Sequence, residues 1–420
     1  MPSALKIKCL ASASFQSASA LLLPAALPLP AARVLTAALL LPAALLLAGC
    51  GNPADTKASN TSNPPTMGEL MGGDITGFDS VTPGKTLSFP ADHGPHNNFR
   101  QEWWYLTANL TTASGEPLGL QWTQFRVALE PGANRALPGE NQPSAENGWD
   151  SRQLWFAHAA VTREQNHIAT ERWSRGHQEL ASAGGSPFAV KLADWRWQSE
   201  TEALFPASLT VTGANGDKPL GYRLTLSSTS PLQLQGYKGY SAKSADAGLA
   251  SYYYSAPFIH IEGEVLLDGA WQKVSGQGWL DREWSSAFLG LKQQGWDWFA
   301  LRLDDGSALM LFQLREQNTK SFPHANRMWP DGRSQKLEVI SMTPTDYHQG
   351  YPVAWQLNLK DKSADSTEAD KELSLKVEAL NPDARMALSM QYWEGPVRIS
   401  RSDNKGESHI GEGYMELTGY

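Results

Sequence analysis

The densest set of reactive side chains is Gly278-Trp279-Leu280-Asp281-Arg282-Glu283-Trp284-Ser285-Ser286, where acidic, basic and hydroxyl groups sit among two indoles. Extended backbone sends alternate side chains to opposite faces, so Trp279, Asp281 and Glu283 share one face and Leu280, Arg282 and Trp284 the other. A carboxyl between large apolar groups on a cavity-facing side loses hydration, which raises its pKa and lets it hold a proton near neutral pH. Asp281 is therefore a candidate general acid. The alternative is that it pairs with Arg282 or Arg126 and only fixes a buried polar network.

Two further groups carry possible chemistry. Asp92-His93-Gly94-Pro95-His96 precedes Arg100-Gln101-Glu102-Trp103-Trp104-Tyr105. The two histidines would need a third ligand to hold a metal, and the Gly-Pro between them makes a turn, so no metal is assigned. Glu102, ahead of paired tryptophans, reads as a buried carboxylate satisfied by Arg126, and it and His93 are the candidates to assist Asp281. Ser251-Tyr252-Tyr253-Tyr254-Ser255-Ala256-Pro257 with His260 sets phenols at a mouth or junction, where tyrosines more often pack than react. The chain has no Gly-x-Ser-x-Gly elbow, His-Glu-x-x-His, phosphate-cradling loop or dinucleotide fingerprint.

The elements that must position these groups are strands. Trp103 to Leu110, Leu118 to Val127, Ser208 to Thr212, Tyr222 to Leu226 and Val265 to Leu267 are short β-prone runs of period two, broken by Gly turns. The clearest hairpin is Trp296 to Leu303, a turn at Asp304-Asp305-Gly306-Ser307, and Ala308 to Leu314. Trp103-Trp104-Tyr105-Leu106, Leu110, Gly115 and Gln124-Phe125-Arg126 are echoed by Trp296-Asp297-Trp298-Phe299, Leu303, Gly306 and Gln313-Leu314-Arg315. The pattern predicts an all-β protein with a duplicated antiparallel barrel and a boundary near residues 255 to 265.

Upstream, Val34 to Ala48 is uncharged and apolar but for Thr36 and Pro42, and ends in Leu47-Ala48-Gly49-Cys50. That run suits the core of a signal peptide and is short for a membrane span; small residues before cysteine form a lipoprotein cleavage site. Cys50 is the expected lipidation site, and Gly51 behind it favours the outer membrane. Removing Lys6, Lys8 and Arg33 with the leader leaves 32 of the 35 Lys and Arg against 43 Asp and Glu, a balance that argues against nucleic acid. The other cysteine, Cys9, leaves with the leader, so no disulfide or thiol chemistry is expected. The expected organisation is a leader at 1–49, a tether at 50–77 and domains at 78–260 and 261–420.

Phe89-Pro90-Ala91-Asp92-His93-Gly94, Glu102-Trp103-Trp104-Tyr105, Ser251-Tyr252-Tyr253-Tyr254-Ser255, Gly278 to Trp284, Tyr392-Trp393-Glu394-Gly395 and Gly413 to Tyr420 together resemble the AttH-like lipoproteins. These belong to the carotenoid 1,2-hydratase (hydroxyneurosporene synthase) superfamily, often labelled predicted secreted hydrolases. The likeness spans about Pro83 to Tyr420. It implies two lipocalin-like, calycin-type barrels in tandem and the company of an ABC transporter permease of the lipoprotein-releasing or macrolide-exporting type. In the hydratase branch water adds across a terminal alkene, and that branch's acid Asp falls on Asp281. The branch pairs its Asp with a preceding Tyr and a His-x-Trp element; here Trp279 stands at the Tyr position and the His has no assigned counterpart.

Two readings follow. The first is a lipid-anchored periplasmic protein that binds an apolar lipid or isoprenoid among Trp103, Trp104, Tyr105, Tyr253, Trp279, Trp284, Trp296 and Trp298 and works with the transporter. The second is a hydro-lyase or hydrolase with Asp281 as acid and indole faces stabilising a carbocation. Neither requires a cofactor. If Cys50 carries the lipid, Cys50→Ser is expected to abolish incorporation of labelled palmitate and free the protein from the membrane fraction; label retained by the variant would overturn the assignment.

Overall fold

Aromatic and β-branched runs separated by glycine turns fold into antiparallel sheet almost throughout. The computed structural model describes residues 74–132, 151–177, 179–245, 248–290, 293–316, 321–362, 372–403 and 406–420. Cys50, the expected leader and most of the expected tether lie outside these. The first sheet holds β1 (Gln101–Thr112), β2 (Pro117–Ala128), β3 (Gln153–Arg163), β4 (Asn166–Arg175), β5 (Ala181–Gly184), β6 (Ala189–Leu192), β7 (Trp195–Ser199), β8 (Ala207–Asn215), β9 (Lys218–Ser227), β10 (Gln233–Leu234), β11 (Tyr240–Ala242), β12 (Ala250–Leu267) and β13 (Ala270–Ser285). The second holds β14 (Gln293–Leu303), β15 (Ala308–Glu316), β16 (Phe322–Met328), β17 (Ser334–His348), β18 (Tyr351–Lys360), β19 (Glu372–Ala379), β20 (Arg385–Ala387), β21 (Gln391–Asp403) and β22 (Gly406–Leu417). Both belong to one unit, Ser62–Tyr420. Among the described residues the one helical element is a 3-10 turn at Ala91–His93.

Each sheet curls into a barrel. In the second, β14 through β19 follow in order, β19 also pairs with β21, and β22 returns to β14, so the ring closes. The first sheet runs β4-β3-β2-β1-β13-β12-β9-β8-β7-β6-β5, and a bridge between His177 and Ala181 nearly closes it. The barrel interiors are packed: Trp122, Trp195, Trp197 and Leu209 fill the first, Phe299, Trp355 and Leu357 the second.

The echo between the halves is a true equivalence of register. Trp103 lies opposite Phe125 as Trp296 lies opposite Leu314, and Tyr105 faces Asp281 on β13 as Trp298 faces Glu416 on β22. The expected boundary near 255 to 265 needs correction. Residues 250–267 form one 18-residue strand of the first barrel, and the chain changes sheet between Ser285 and Gln293. Pro257, which has no N–H for the ladder, sits at the bulge between Ala256 and Ile259 and gave the segment the look of a junction.

Period two also fails in an informative place. Strand β8 alternates buried and half-buried side chains, as a strand with one outward face should. Strands β1 and β2 are buried on both faces, because a third apolar cluster joins Trp103, Tyr105 and Phe125 to Trp296, Trp298 and Phe312 across the barrels. The side of Gly119 on β2 meets Pro396 on β21 so closely that a Cβ there would lie 2.5 Å from the proline Cγ. Gly119→Val is therefore expected to cost about 1–3 kcal/mol of stability in urea denaturation; a variant as stable as wild type would refute the close contact.

Candidate functional site

The third apolar cluster encloses a cavity between the two barrels. About 630 Å3 of empty space, part of it continuous with solvent, lies among Trp103, Tyr105, Phe125, Tyr253, Phe288, Trp296, Trp298 and Phe312. Into this aromatic box project four carboxylates, Asp281, Glu283, Glu394 and Glu416, and one cation, Lys243. The ladders explain the convergence: Asp281 and Glu283 are two apart on β13, Glu394 lies directly opposite Glu416 on the paired strands β21 and β22, and all four face the gap.

Asp281 is buried and has no arginine partner. Its Oδ1 accepts from Trp279 Nε1 at 2.8 Å and from the Ser255 hydroxyl, which lies opposite it on β12. Its Oδ2 accepts from the Tyr253 hydroxyl at 2.7 Å, and Trp298 Nε1 donates to that hydroxyl at 3.3 Å. Burial pushes the carboxyl up to about 7, assisted by the charge of Glu283 and opposed by the three donors. The site accommodates both protonation states. The hydroxyls of Ser255 and Tyr253 can each turn from donor to acceptor, and Oδ2, unlike Oδ1, faces no obligate donor.

The other acids differ in state. Glu283 accepts from Lys243 Nζ at 2.5 Å and from the Ser251 hydroxyl. The ammonium also lies 4.5 Å from the Phe312 ring centre and 5.0 Å from those of Tyr253 and Phe288. Glu416 accepts from Trp296 Nε1 at 2.9 Å; burial, then the neighbouring charges of Asp281 and Glu283, lift it to about 8. Burial and Glu416 hold Glu394 well above the usual carboxylate range, with the phenols of Tyr105 and Tyr392 opposing. Those phenols face Glu394, but no hydrogen bond to either of its carboxylate oxygens is completed.

Of the residues expected to act, Asp281, Trp103, Tyr105, Tyr253, Trp296 and Trp298 line this cavity. Trp279 stands behind Asp281, edge-on to Trp298. Four expectations are corrected. Trp104 points into the first barrel, donating to the His93 carbonyl at 2.9 Å and stacking on Trp155. Trp284 stacks on His96 at 3.8 Å. Glu102 is the buried partner of Arg126 that was expected, but it also accepts from Arg282 and from the His96 amide and does not reach Asp281; burial alone would raise it, but the two guanidiniums hold it well below the usual range. His93 bonds Tyr254 through Nδ1 at 2.6 Å, and burial with Arg282 pushes it down to about 4. Neither Glu102 nor His93 lines the cavity; both lock the entry to β1. Lys243, Glu394 and Glu416 were missed as site residues, although the segments holding the two glutamates carried the family resemblance. Among the described residues no cluster of His, Cys, Asp and Glu is arranged to hold a metal.

The family model described as AttH-like matches residues 80–420. The chain belongs to the AttH-like family. The crystal structure of an AttH from Nitrosomonas europaea is 31% identical, covers 82% of this chain and 99% of its own, and superposes with a TM-score of 0.66. Kievitone hydratase from Nectria haematococca, 13% identical over 81% of this chain and 95% of its own, shares the fold with a TM-score of 0.55. No curated protein sequence matches this AttH-like chain.

Asp281 also leaves a thermodynamic mark. Its folded pKa near 7 exceeds the usual 3.8, so its contribution to stability is present below pH 3.8 and is lost as pH rises through 7. That difference corresponds to roughly 4 kcal/mol. Asp281→Asn, which mimics the protonated acid, is expected to gain stability relative to wild type as urea titrations move from pH 4 to pH 8. A difference independent of pH would rule out the raised pKa.

Proposed function

We propose that this AttH-like protein adds water across a carbon–carbon double bond of an apolar substrate held between its barrels. The observation that carries this reading is the Asp281 carboxyl, buried among aromatic rings without a cation and raised to about 7. A pKa at the working pH suits an acid that must both hold and release its proton. The Oδ2 proton passes to one alkene carbon as the π pair forms the C–H bond, leaving a cation on the more substituted carbon. Indole and phenol faces, Trp298 and Trp103 among them, stabilise that charge without capturing it. Water then forms the C–O bond, and the proton it sheds returns to the Asp281 carboxylate. One water is consumed and the acid is restored.

The fold it shares with a protein named as a hydratase agrees with this reading, but at 13% identity the likeness speaks for the fold alone. The case rests on the acid and its surroundings. Binding of an isoprenoid or acyl lipid in the same box, without chemistry, is the reading that remains if the acid proves idle. We also propose, on the leader ending at Cys50, that the body is tethered to the periplasmic face of the outer membrane and exchanges its ligand with an ABC transporter permease.

Incubation with acyclic isoprenoids bearing a trisubstituted terminal alkene, in 18O-labelled water, tests the reaction. Mass spectrometry is expected to find a tertiary alcohol carrying one labelled oxygen. Asp281→Asn should abolish product while leaving quenching of tryptophan fluorescence by the substrate in place. An alkene that binds both proteins and is converted by neither would reduce the activity to binding, and conversion undiminished in the variant would remove Asp281 as the acid.

A further inference from the structure

A second polar chain approaches the cavity through its side wall. His158 on β3 is fully buried between the rings of Phe125 and Phe156, with Thr123 of β2 and Glu171 of β4 as its ladder neighbours. Its Nδ1 lies 2.8 Å from the hydroxyl of Tyr392, on β21 of the other barrel. Its Nε2 has no hydrogen bond and points toward Glu171, whose Oε2 is 3.8 Å away. The Glu171 side chain is 23% exposed and accepts from the amide and hydroxyl of Ser389, so its carboxylate touches solvent. At the other end Tyr392 lines the cavity, two residues along β21 from Glu394 and on the same face.

We propose that Glu171, His158 and Tyr392 form a proton relay between solvent and the Glu394 carboxyl inside the cavity. An imidazole with one nitrogen bonded inward and the other unbonded and aimed at a surface carboxylate has the connectivity for this. A buried polar atom left without a partner otherwise only costs stability. The transfer balances. A proton from Glu171 joins His158 Nε2, across a gap that one bridging water or a small turn of Glu171 spans; the Nδ1 proton moves to the Tyr392 oxygen, and the Tyr392 hydroxyl proton moves to a Glu394 oxygen once a small turn of either side chain closes the hydrogen bond that is open at rest. The reverse sequence carries a proton out, and His158 resets by the same hops.

Electrostatics suits a conductor rather than a store. Burial drives the His158 imidazole down to about 4, with Glu171 as the one charge opposing this, so the ring is neutral at working pH. Burial, then Glu394, Glu416 and Glu171, keep the Tyr392 phenol un-ionised. The hydration cycle returns its own proton to Asp281, so the relay serves the resting protonation of the buried acids, which it keeps in exchange with bulk solvent while an apolar ligand occupies the cavity.

Infrared spectroscopy in D2O tests it without substrate. The C=O stretch of protonated Glu394, identified by its loss in Glu394→Gln, shifts when its proton exchanges for deuterium. His158→Phe, which replaces one ring by another among phenylalanines, and Glu171→Gln are each expected to slow that shift on the order of tenfold or more. Free imidazole added to His158→Ala should restore the rate, which a merely structural histidine would not allow. Tyr392→Phe supplies the same comparison if the His158 variants fail to fold. An exchange rate unchanged in folded variants overturns the relay. Slowed exchange in a protein that hydrates no alkene leaves the relay standing.

Discussion

An excess of acid over base in an aromatic-walled space governs this molecule. Asp281, Glu283, Glu394 and Glu416 share the cavity with Lys243 as its lining cation, and the ammonium is committed to Glu283. Ionising the remaining three would place uncompensated charge among aromatic rings, which costs more than keeping their protons. The cavity is thereby an acid reservoir at neutral pH, and its chemistry follows from what is missing as much as from what is present. The family's fold supplies the walls; the unbalanced carboxylates set the proton inventory.

That space exists because two filled barrels lie side by side. Strands β1 and β2 and the second half of β13, from Gly278, line the first barrel with one face and the interface with the other, so their residues are buried on both sides. Asn109 donates to the Gly413 carbonyl at 2.8 Å, and Arg302 reaches Asn109 and the Gln277 carbonyl at 3.1 Å, tying the barrels beside the acids. Beneath, Glu102 between Arg126 and Arg282 secures the segment that enters β1, a buried ion knot that holds position rather than doing chemistry.

How much of this was legible in the sequence depended on range. The alternation around Asp281 was readable because it is local, and it correctly parted Asp281 and Glu283 from Arg282. The register echo between Trp103 and Trp296 was readable for the same reason. The pairing of Glu102 with Arg126 was readable, but its separation from Asp281 and the direction of Trp104 were not, since nothing in a strand's period says which of its two faces meets the interior when both are buried. Glu394 and Glu416 were invisible as site residues because they reach Asp281 only through the packing of one barrel on the other, more than a hundred residues apart in sequence. Lys243, in a segment of bends with no strand period, offered no signal at all. The boundary error at β12 came from reading tyrosines and Pro257 as a junction where the ladder merely bulges.

The tryptophan-filled barrel interiors carry a last implication. A lipocalin-like barrel with an open calyx keeps its ligand to itself, but here Trp122, Trp195 and Trp197 occupy that volume in the first barrel and Trp355 in the second. A guest of the cavity would be held by the outer surfaces of both halves at once, as a filling between two slabs. Its binding free energy adds to whatever holds the halves together, so ligand affinity and domain cohesion become one quantity. A change to either outer face alters the guest and the joint together.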